Sequence, residues 1–270
     1  MLIMIPSRGR SNVLATSTLA YLPDTLMSDT VLWVHSGEYD VYRAALDQQP
    51  RFESVTLVHS NYNTIGEKRH QMGLYALNAF QPEFCMLDDD LDFLIRKADD
   101  NFALRAQIST ETHDMFEVIS FYLKKGYAQV CISPREGNNR FGDGSPSELI
   151  NECTRGMRIT AYRTKDFLSV DHDRVPVMED FDVLLQLLRS GRKNVVLGYW
   201  ANGQKKTNSA GGCSIWRTLE LHNAAVEKMA ELHPAFVKVR LKQNKTDADG
   251  FGTRKEVTVQ WKRAYLSSQA

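Results

Sequence analysis

Short apolar runs alternate with segments of helical periodicity along the first third of the chain. The apolar runs lie at 1–6, 30–36, 54–60 and 82–88. Each suits a strand that is buried on both faces, and the first ends in a proline. Helical spacing separates them over a segment that starts at Ser11 and ends near Leu22, over 39–48 and over 65–80. This alternation predicts right-handed crossovers and an α/β fold of Rossmann type, with a mostly parallel sheet flanked by helices.

The pattern is less regular in the remainder of the chain. We expect strands within 126–136, 155–168 and 194–204, and helices over 177–193 and 213–233. Residues 137–148 are rich in Gly, Asn, Ser and Pro, which is typical of a connecting loop. Apolar and polar residues alternate over 237–242 and again over 257–262. The chain therefore is predicted to end in a helix and a β-hairpin with one apolar face.

The composition is that of a soluble globular protein. The chain has 270 residues, 43% of them hydrophobic and 24% charged, enough for one large domain or two small ones. No apolar run approaches the roughly 18 residues of a membrane span, and the start lacks the basic leader of a signal peptide. The four cysteines are dispersed, which argues against a zinc ribbon or a disulfide scaffold. We expect a cytoplasmic protein with no membrane or protein partner.

Charge is distributed unevenly although the formal net charge is zero. Residues 189–270 contain 15 Lys and Arg against 6 Asp and Glu, whereas residues 1–188 contain 18 against 27. An acidic front and a basic tail favour two surfaces with different partners. A chance polarity of solvated charges is the alternative.

The ends of the predicted strands carry the candidate chemistry, because ligands of parallel sheets bind beyond the carboxyl ends. An acidic run, Asp88, Asp89 and Asp90, follows the fourth strand. Like charges repel, so such a run needs a cation or a wet location. Residues two apart on a strand point the same way, so Asp88 and Asp90 can face one cation while Asp89 turns aside. Hard divalent cations prefer carboxylate and phosphate oxygens, and a metal site is predicted here, with a solvated acidic loop as the alternative.

The order of the motifs resembles that of GT-A-fold glycosyltransferases. The resemblance covers roughly residues 1–200 and rests on four motifs: "PSRGR" after the first strand, "GEKR" on a helix, Asp88-x-Asp90, and Glu179-Asp180 on a later helix. More narrowly, these motifs resemble the phage glycosyltransferases associated with TET-type hydroxylases, which are thought to add sugars to hydroxymethylated pyrimidines in DNA. The resemblance implies a catalytic GT-A-like region over 1–200. We expect 201–270 to be a basic extension, made of a lid loop, a helix and a hairpin, that packs on the same domain.

In that fold a nucleotide-sugar, here expected to be UDP-linked, lies across the strand ends. The resemblance implies that Asp88 and Asp90 hold Mn²⁺ or Mg²⁺ against the diphosphate, with His172 as a weaker candidate for a further ligand. The remaining donor-binding candidates are Pro6, Ser7, Arg8, Arg10, Glu38, Gly66, Lys68, Arg69 and Asp89. For the arginines and for the "GEKR" turn, ordinary surface charge is the alternative.

Glu179 and Asp180 form a second acidic centre. In inverting members of the fold an acid at this position deprotonates the acceptor hydroxyl, and we expect Asp180 to be that base or an acceptor-binding group, with Glu179 second. Acids also stabilise a helix N-terminus electrostatically, so a structural role is the alternative. The sequence leaves open whether the reaction inverts or retains the anomeric configuration.

The basic tail bears on the acceptor. Cations on one strand face suit a protein that follows a phosphate backbone, and the candidates are Lys205, Lys206, Lys238, Arg240 and Lys242. With the resemblance, they favour a metal-dependent glycosyltransferase that acts on 5-hydroxymethylpyrimidine in phage DNA, inside the host cytoplasm. The alternatives are a protein, lipid or saccharide acceptor, a metal-dependent nucleotidyltransferase, and a nucleotide-binding module without activity. An edge hairpin kept soluble by lysine would also explain the tail.

Overall fold

The structure is a computed structural model, and it describes residues 1–97, 100–136, 149–204, 217–243 and 252–269. The strands are β1 (Leu2–Pro6), β2 (Thr30–His35), β3 (Thr56–Ser60), β4 (Glu83–Leu87), β5 (Leu91–Lys97), β6 (Asp100–Ala106), β7 (Gln129–Pro134), β8 (Ile150–Glu152), β9 (Ile159–Arg163), β10 (Asn194–Gln204), β11 (Val237–Gln243) and β12 (Thr253–Val259). The α-helices are α1 (Thr18–Tyr21), α2 (Tyr39–Asp47), α3 (Ile65–Asn78), α4 (Ser109–Lys124), α5 (Thr164–Phe167), α6 (Glu179–Arg189), α7 (Leu219–Leu232) and α8 (Trp261–Leu266).

The main sheet of the described chain has two parts. β3, β2, β1 and β4 are parallel neighbours in that order, as the alternating pattern predicts. Beyond β4 the order continues β9, β7, β10, β5 and β6, and only the β7–β10 pair in this part is parallel. β8 adds to β10. The predicted α/β fold class is confirmed, and the less regular second half of the sequence corresponds to the antiparallel pairings.

Helices cover both faces of the sheet. Apolar residues of α2 and α4 pack on one face together with alternate residues of β1 and β4. Apolar residues of α3, α5 and α6 pack on the other. The outer side of α6 is buried in turn against α7, α8 and the β11–β12 hairpin. α6 therefore lies between the sheet and the basic C-terminal part of the chain.

Several element predictions are wrong in detail. The expected helix from Ser11 to Leu22 is broken into a 3₁₀ helix (Ser11–Thr16) and α1. The break has a tertiary cause, because the buried Thr18 hydroxyl donates to the carbonyl of Asp88 and accepts the N–H of Leu91 at 2.8 Å. The segment 155–168 contains a short strand followed by α5, and Trp261 begins α8 instead of extending β12. β5, β6 and α4 were not predicted, and the expected loops over 137–148 and 205–212 lie outside the described residues.

No helix in the described part of the chain is long and apolar enough to cross a membrane.

Candidate active site

Four loops meet at the carboxyl edge of the parallel strands. β1 ends at Pro6, and its neighbours in the sheet are β2 and β4, with β3 beyond β2. The first residues beyond the four strands are Ser7, Ser36, Asn61 and Asp88. Segments that lie far apart in the sequence therefore share one edge of the sheet, as the strand pattern predicts.

A chain of hydrogen bonds fixes the loop after β1. The buried Ser7 hydroxyl donates to Asp89, so its oxygen accepts from the Tyr42 hydroxyl at 2.7 Å. The Tyr42 oxygen accepts the backbone N–H of Arg10 at 3.0 Å. Burial raises the pKa of Tyr42 to about 12, which keeps the phenol protonated as the chain of donors requires. The loop after β1 and the acidic turn after β4 are thereby held together.

The three aspartates lie in a turn between β4 and β5 and not on a strand. The Arg10 guanidinium pairs with Asp89 and lies 3.0 Å from Asp90, and the amide of Gln204 donates to Asp90 at 2.8 Å. The expectation that Asp89 turns aside from a shared cation is therefore corrected, because the turn brings Asp89 and Asp90 to the same arginine. The assignment of Asp88 and Asp90 as metal ligands stays a prediction.

Arg69 joins the two acidic centres. Its guanidinium lies 2.9 Å from Glu179 and 3.7 Å from Asp88. Burial raises the pKa of Asp88 to about 7, although Arg69 opposes the shift. Burial likewise raises the pKa of Glu179 against the effect of Arg69. One guanidinium thus compensates the half-buried Asp88 and the buried Glu179 only in part, a charge pattern that is typical of functional sites.

The first turn of α3 supplies two cations of the site, Lys68 and Arg69. Thr64 caps the helix by accepting the N–H of Glu67 at 3.0 Å. The buried Lys68 ammonium donates to the Tyr62 hydroxyl at 3.1 Å and to the carbonyl of Ser7 at 3.4 Å. The Lys68 ammonium therefore faces the loop after β1. The guanidinium of Arg69, the next residue, instead pairs with Asp88 and Glu179.

Gly66 and His172, two of the predicted site residues, pack against each other. A Cβ at position 66 would lie 2.0 Å from the backbone oxygen of His172, so this contact already requires a glycine, and the donor-binding role of Gly66 stays a prediction. The His172 Nε2 bonds the carbonyl of Phe167 at 2.8 Å, and the ring stacks on His70 with centroids 5.0 Å apart. Burial lowers the pKa of His172 to about 4. The ring predicted as a weaker metal ligand is thus hydrogen-bonded through its Nε2 and stacked within the protein.

α6 starts from a strained residue. Met178 has a φ of 68°, in the left-handed region that non-glycine residues rarely adopt. The helix then presents Glu179 toward Arg69, while Asp180 is half-buried and forms no ion pair within the described residues. The two acids therefore differ: Glu179 is paired with Arg69, and Asp180 has no salt bridge in this part of the chain.

Asp182, the next acid of α6, has a structural role. It is buried and pairs with Arg174, and its carboxylate lies 2.7 Å from the Nε2 of His233. His233 follows α7, so this cluster links the start of α6 to the C-terminal part of the chain. Asp182 thus stabilises the packing of α6, whereas Glu179 and Asp180 belong to the candidate site.

An acid, two cations and an aromatic ring lie around the loops after β1 and β3. The carboxylate of Glu38 accepts the N–H of Gly9 at 3.1 Å, which places this acid beside the loop after β1. The guanidinium of Arg8 lies 5.9 Å from the centroid of the Tyr62 ring, and the Lys68 ammonium lies 4.7 Å from it. Both distances fall within the range of cation–π contacts.

Three exposed cations share one face of β11, namely Lys238, Arg240 and Lys242. The residues opposite them on β12 are Thr258, Glu256 and Arg254. Glu256 pairs with Arg254 at 2.7 Å, and among the described residues none of the three β11 cations has an ion-pair partner. Lys205 and Lys206, the other predicted acceptor-binding residues, lie outside the described residues.

Sequence reasoning missed four residues that the fold brings to the site: Tyr42, Tyr62, Arg158 and Gln204. Tyr42 carried a usable signal, because a tyrosine on the buried face of an amphipathic helix needs a partner for its hydroxyl. The carbonyl of Arg158, a residue with a φ of 68°, accepts the N–H of Asp88 at 3.0 Å. Contacts of this kind connect separate strands, and no local pattern in the sequence relates them.

Comparisons with known proteins give a family and a fold. The family described as TET-Associated Glycosyltransferase matches residues 1–212. Among solved structures, the mannosyltransferase PcManGT from Pyrobaculum calidifontis, in complex with GDP-Man and Mn2+, is similar with a TM-score of 0.55 and 12% identity. The superposition covers 85% of this chain and 63% of that chain, so the chain spans less than two thirds of that mannosyltransferase. At this identity the likeness shows the fold alone.

A 4-diphosphocytidyl-2C-methyl-D-erythritolsynthase from Anaerococcus prevotii is also similar, with a TM-score of 0.44 and 12% identity over 75% of this chain and 86% of that chain. No curated protein matches the chain.

Proposed function

Because the chain belongs to the TET-associated glycosyltransferase family, we propose that it transfers a sugar from a nucleotide-diphosphate sugar to the hydroxyl of a 5-hydroxymethylpyrimidine in DNA. The observation that carries the proposal is the bridge that Arg69 forms between Asp88 and Glu179. It unites an acidic turn suited to a metal and a diphosphate with a second acidic centre suited to an acceptor. Both lie at the carboxyl edge of the sheet, where ligands of such folds bind.

The donor is proposed to lie across the loops after β1 and β3. Arg8 and Lys68 both contact the Tyr62 ring on this side. A nucleotide diphosphate combines negative charge with a flat base, so cations beside an aromatic ring are complementary to it. Glu38, held next to this loop, is suited to accept hydrogen bonds from a ribose or a base. The proposed donor is UDP-linked.

Asp88 and Asp90 are the residues that would hold Mn²⁺ or Mg²⁺. Their carboxylate oxygens are the ligands that these ions prefer. The raised pKa of Asp88, caused by burial, fits a further cation because the negative charge is only partly compensated. Such ions commonly bind through one or two protein carboxylates together with substrate phosphates. When bound, such an ion neutralises charge on the leaving diphosphate.

Asp180 is the proposed general base. Glu179 is already paired with Arg69 at 2.9 Å, whereas Asp180 has no ion pair in the described part of the chain, which leaves its carboxylate open to an acceptor hydroxyl. In an inverting reaction the acceptor oxygen attacks the anomeric carbon while the bond from that carbon to the diphosphate oxygen breaks. The hydroxyl proton passes to Asp180, and the nucleoside diphosphate leaves with the bonding electron pair.

The cations of β11 are the proposed DNA-binding surface. Lys238, Arg240 and Lys242 occupy every second position of a strand, so successive cations are about 6.8 Å apart. That interval equals about two base steps along one DNA strand, so the three can follow one backbone over about four steps. The 5-position of a pyrimidine is exposed in the major groove, and base flipping would carry it to the site.

The test combines a panel of nucleotide-sugars, Mn²⁺ and matched duplexes that contain 5-hydroxymethylcytosine or cytosine. We expect release of nucleoside diphosphate, and a DNA mass increase equal to one sugar residue per modified base, with the hydroxymethylated duplex only. Transfer to a protein, lipid or saccharide in place of DNA would refute the proposed acceptor and keep the enzyme class. Release of pyrophosphate from a nucleoside triphosphate would identify a nucleotidyltransferase. Binding of the nucleotide-sugar without release of any product would identify a nucleotide-binding module.

A further inference from the structure

Two aromatic rings and an arginine are in contact with one another beside the second acidic centre, Glu179 and Asp180. Phe181 follows Asp180 directly in the first turn of α6, and its ring lies 5.4 Å from that of Trp261, between centroids, at an angle of 50°. The guanidinium of Arg155 lies 4.3 Å from the Phe181 centroid. Both rings are half-buried, and Arg155 is exposed. We call Phe181, Trp261 and Arg155 the aromatic platform.

Packing accounts for only part of this arrangement. The rings contribute to the cluster in which α6 meets α8, and that cluster is closed by fully buried aliphatic residues such as Leu185 and Ala264. Each ring nevertheless keeps part of its surface in contact with solvent. A cation–π contact at an exposed position stabilises by about 0.5–1 kcal/mol, whereas stacking a nucleobase on an aromatic side chain contributes about 1–3 kcal/mol. Stacking of a base on the Phe181 ring can therefore exceed the contribution of this cation–π contact.

The platform connects the helix of the proposed base to the hairpin that carries the proposed DNA-binding surface. Asp180 and Phe181 are consecutive residues of α6, about 1.5 Å apart along the helix axis and about 100° apart around it. Trp261 follows the end of β12 by two residues, and that end pairs with the start of β11, next to Lys238. The platform thus includes the residue that follows the proposed base on α6, and it lies two residues beyond the strand that pairs with the row of cations.

We propose that the aromatic platform is the binding site for the target pyrimidine of the acceptor. A pyrimidine extruded from the duplex stacks on Phe181 and Trp261, its hydroxymethyl group directed toward Asp180, while Arg155 moves from the ring to a neighbouring phosphate. This rests on the proposed function, because it names the subsite that receives the acceptor. It also assigns the C-terminal helix α8 a part in catalysis through Trp261.

The test uses Phe181→Leu and Trp261→Leu, which remove the ring and keep an apolar side chain, and Phe181→Tyr, which keeps the ring. We expect the KM for hydroxymethylated DNA to rise by roughly 5- to 150-fold in each leucine variant, the range that corresponds to loss of one stacked base. Phe181→Tyr is expected to stay within about threefold of the unmodified enzyme. The Kd for the nucleotide-sugar is expected to be unchanged in all three variants. The leucine variants lose part of the packing between α6 and α8, so their melting temperatures are expected to fall, and the KM is measured below those temperatures.

Phe121→Leu is the matched control, because Phe121 forms a similar pair with Lys125 at 4.4 Å on the exposed side of α4. Leucine variants whose KM for DNA equals that of this control would overturn the platform while the glycosyltransferase proposal stands. Arg155→Ala, at an exposed position where folding is not at risk, is expected to leave the KM within about threefold. Failure of the unmodified enzyme to use hydroxymethylated DNA would overturn the acceptor and the platform together.

Discussion

Removal of the three β11 cations tests the DNA-binding surface most directly. Lys238, Arg240 and Lys242 are exposed, lie on one face and have no ion-pair partner among the described residues. The triple change to Gln removes three charges without touching the buried side of the hairpin, where Val237 and Val257 pack. Stability is therefore expected to change by less than about 0.5 kcal/mol per site.

The magnitude follows from counterion release. Each phosphate contact contributes about −0.9 to the slope of log K against log salt on duplex DNA, so three contacts contribute about −2.7. The triple variant is expected to have a slope shallower by that amount. Between 50 and 200 mM salt, the unmodified protein should lose about 40-fold more affinity than the variant. On single-stranded DNA the corresponding change in slope is about 2.1.

The measurement is the Kd for a fluorescent duplex at four salt concentrations between 50 and 200 mM. The matched control is the Gln variant of three exposed lysines at the opposite edge of the sheet: Lys124, Lys125 and Lys165. It changes the net charge by the same amount, so a non-specific field effect would change both slopes alike. A slope that differs from the unmodified protein by less than one, or that matches the control, would refute the assignment of DNA binding to β11.

Four further predictions concern the site and its support. Asp88→Asn and Asp90→Asn should each abolish the Mn²⁺-dependent rise in melting temperature that a nucleotide-sugar produces, measured by thermal shift. Asp180→Asn should lower kcat by about 10²- to 10⁴-fold and change the donor Kd by less than about twofold, since a general base acts in the transition state. Tyr42→Phe should cost about 1–3 kcal/mol in chemical denaturation, because buried hydrogen-bonding partners are left unpaired. Acidification should destabilise the protein through His172, whose folded pKa of about 4 lies below the unfolded value near 6.5. The unfolded chain therefore binds the proton first, and stability present above about pH 6.5 is lost toward pH 4, by about 3 kcal/mol.

Each of these has an outcome that contradicts it. Retained Mn²⁺-dependent stabilisation in Asp90→Asn would remove this residue from the metal site. A weaker donor Kd with unchanged kcat in Asp180→Asn would move the residue to the donor side. An unfolding free energy of Tyr42→Phe equal to that of the unmodified protein would show that the hydroxyl chain is not needed. A pH profile of His172→Gln as steep as that of the unmodified protein would exclude His172 as the cause of acid destabilisation.

The parts of the fold that could be predicted are those with a strong local period. β1, β2 and β4 are buried on both faces, so their apolar runs stand out, and the half-exposed β3 completes the alternation with helices from which the parallel half of the sheet follows. The second half has antiparallel pairings with short strands such as β8 and β9, and these carry little local signal. The short helix α1 is separated from the preceding 3₁₀ helix by a bond from Thr18 to the acidic turn, which no local propensity encodes.

The sequence by itself determined which residue types reach the carboxyl edge of the sheet. The positions of Arg69, the three aspartates and Glu179 follow from strand ends and helix starts, since those are set by local periodicity and capping. Only the tertiary structure decided which groups share a cation: Arg10 binds Asp89 and Asp90, while Arg69 connects Asp88 to Glu179. The physical reason is that residues in a turn do not alternate between two faces as residues in a strand do. The directions of the three aspartates therefore do not follow from their spacing in the sequence. Ion pairs between elements depend on how helices pack on the sheet, and that packing is a property of the whole chain.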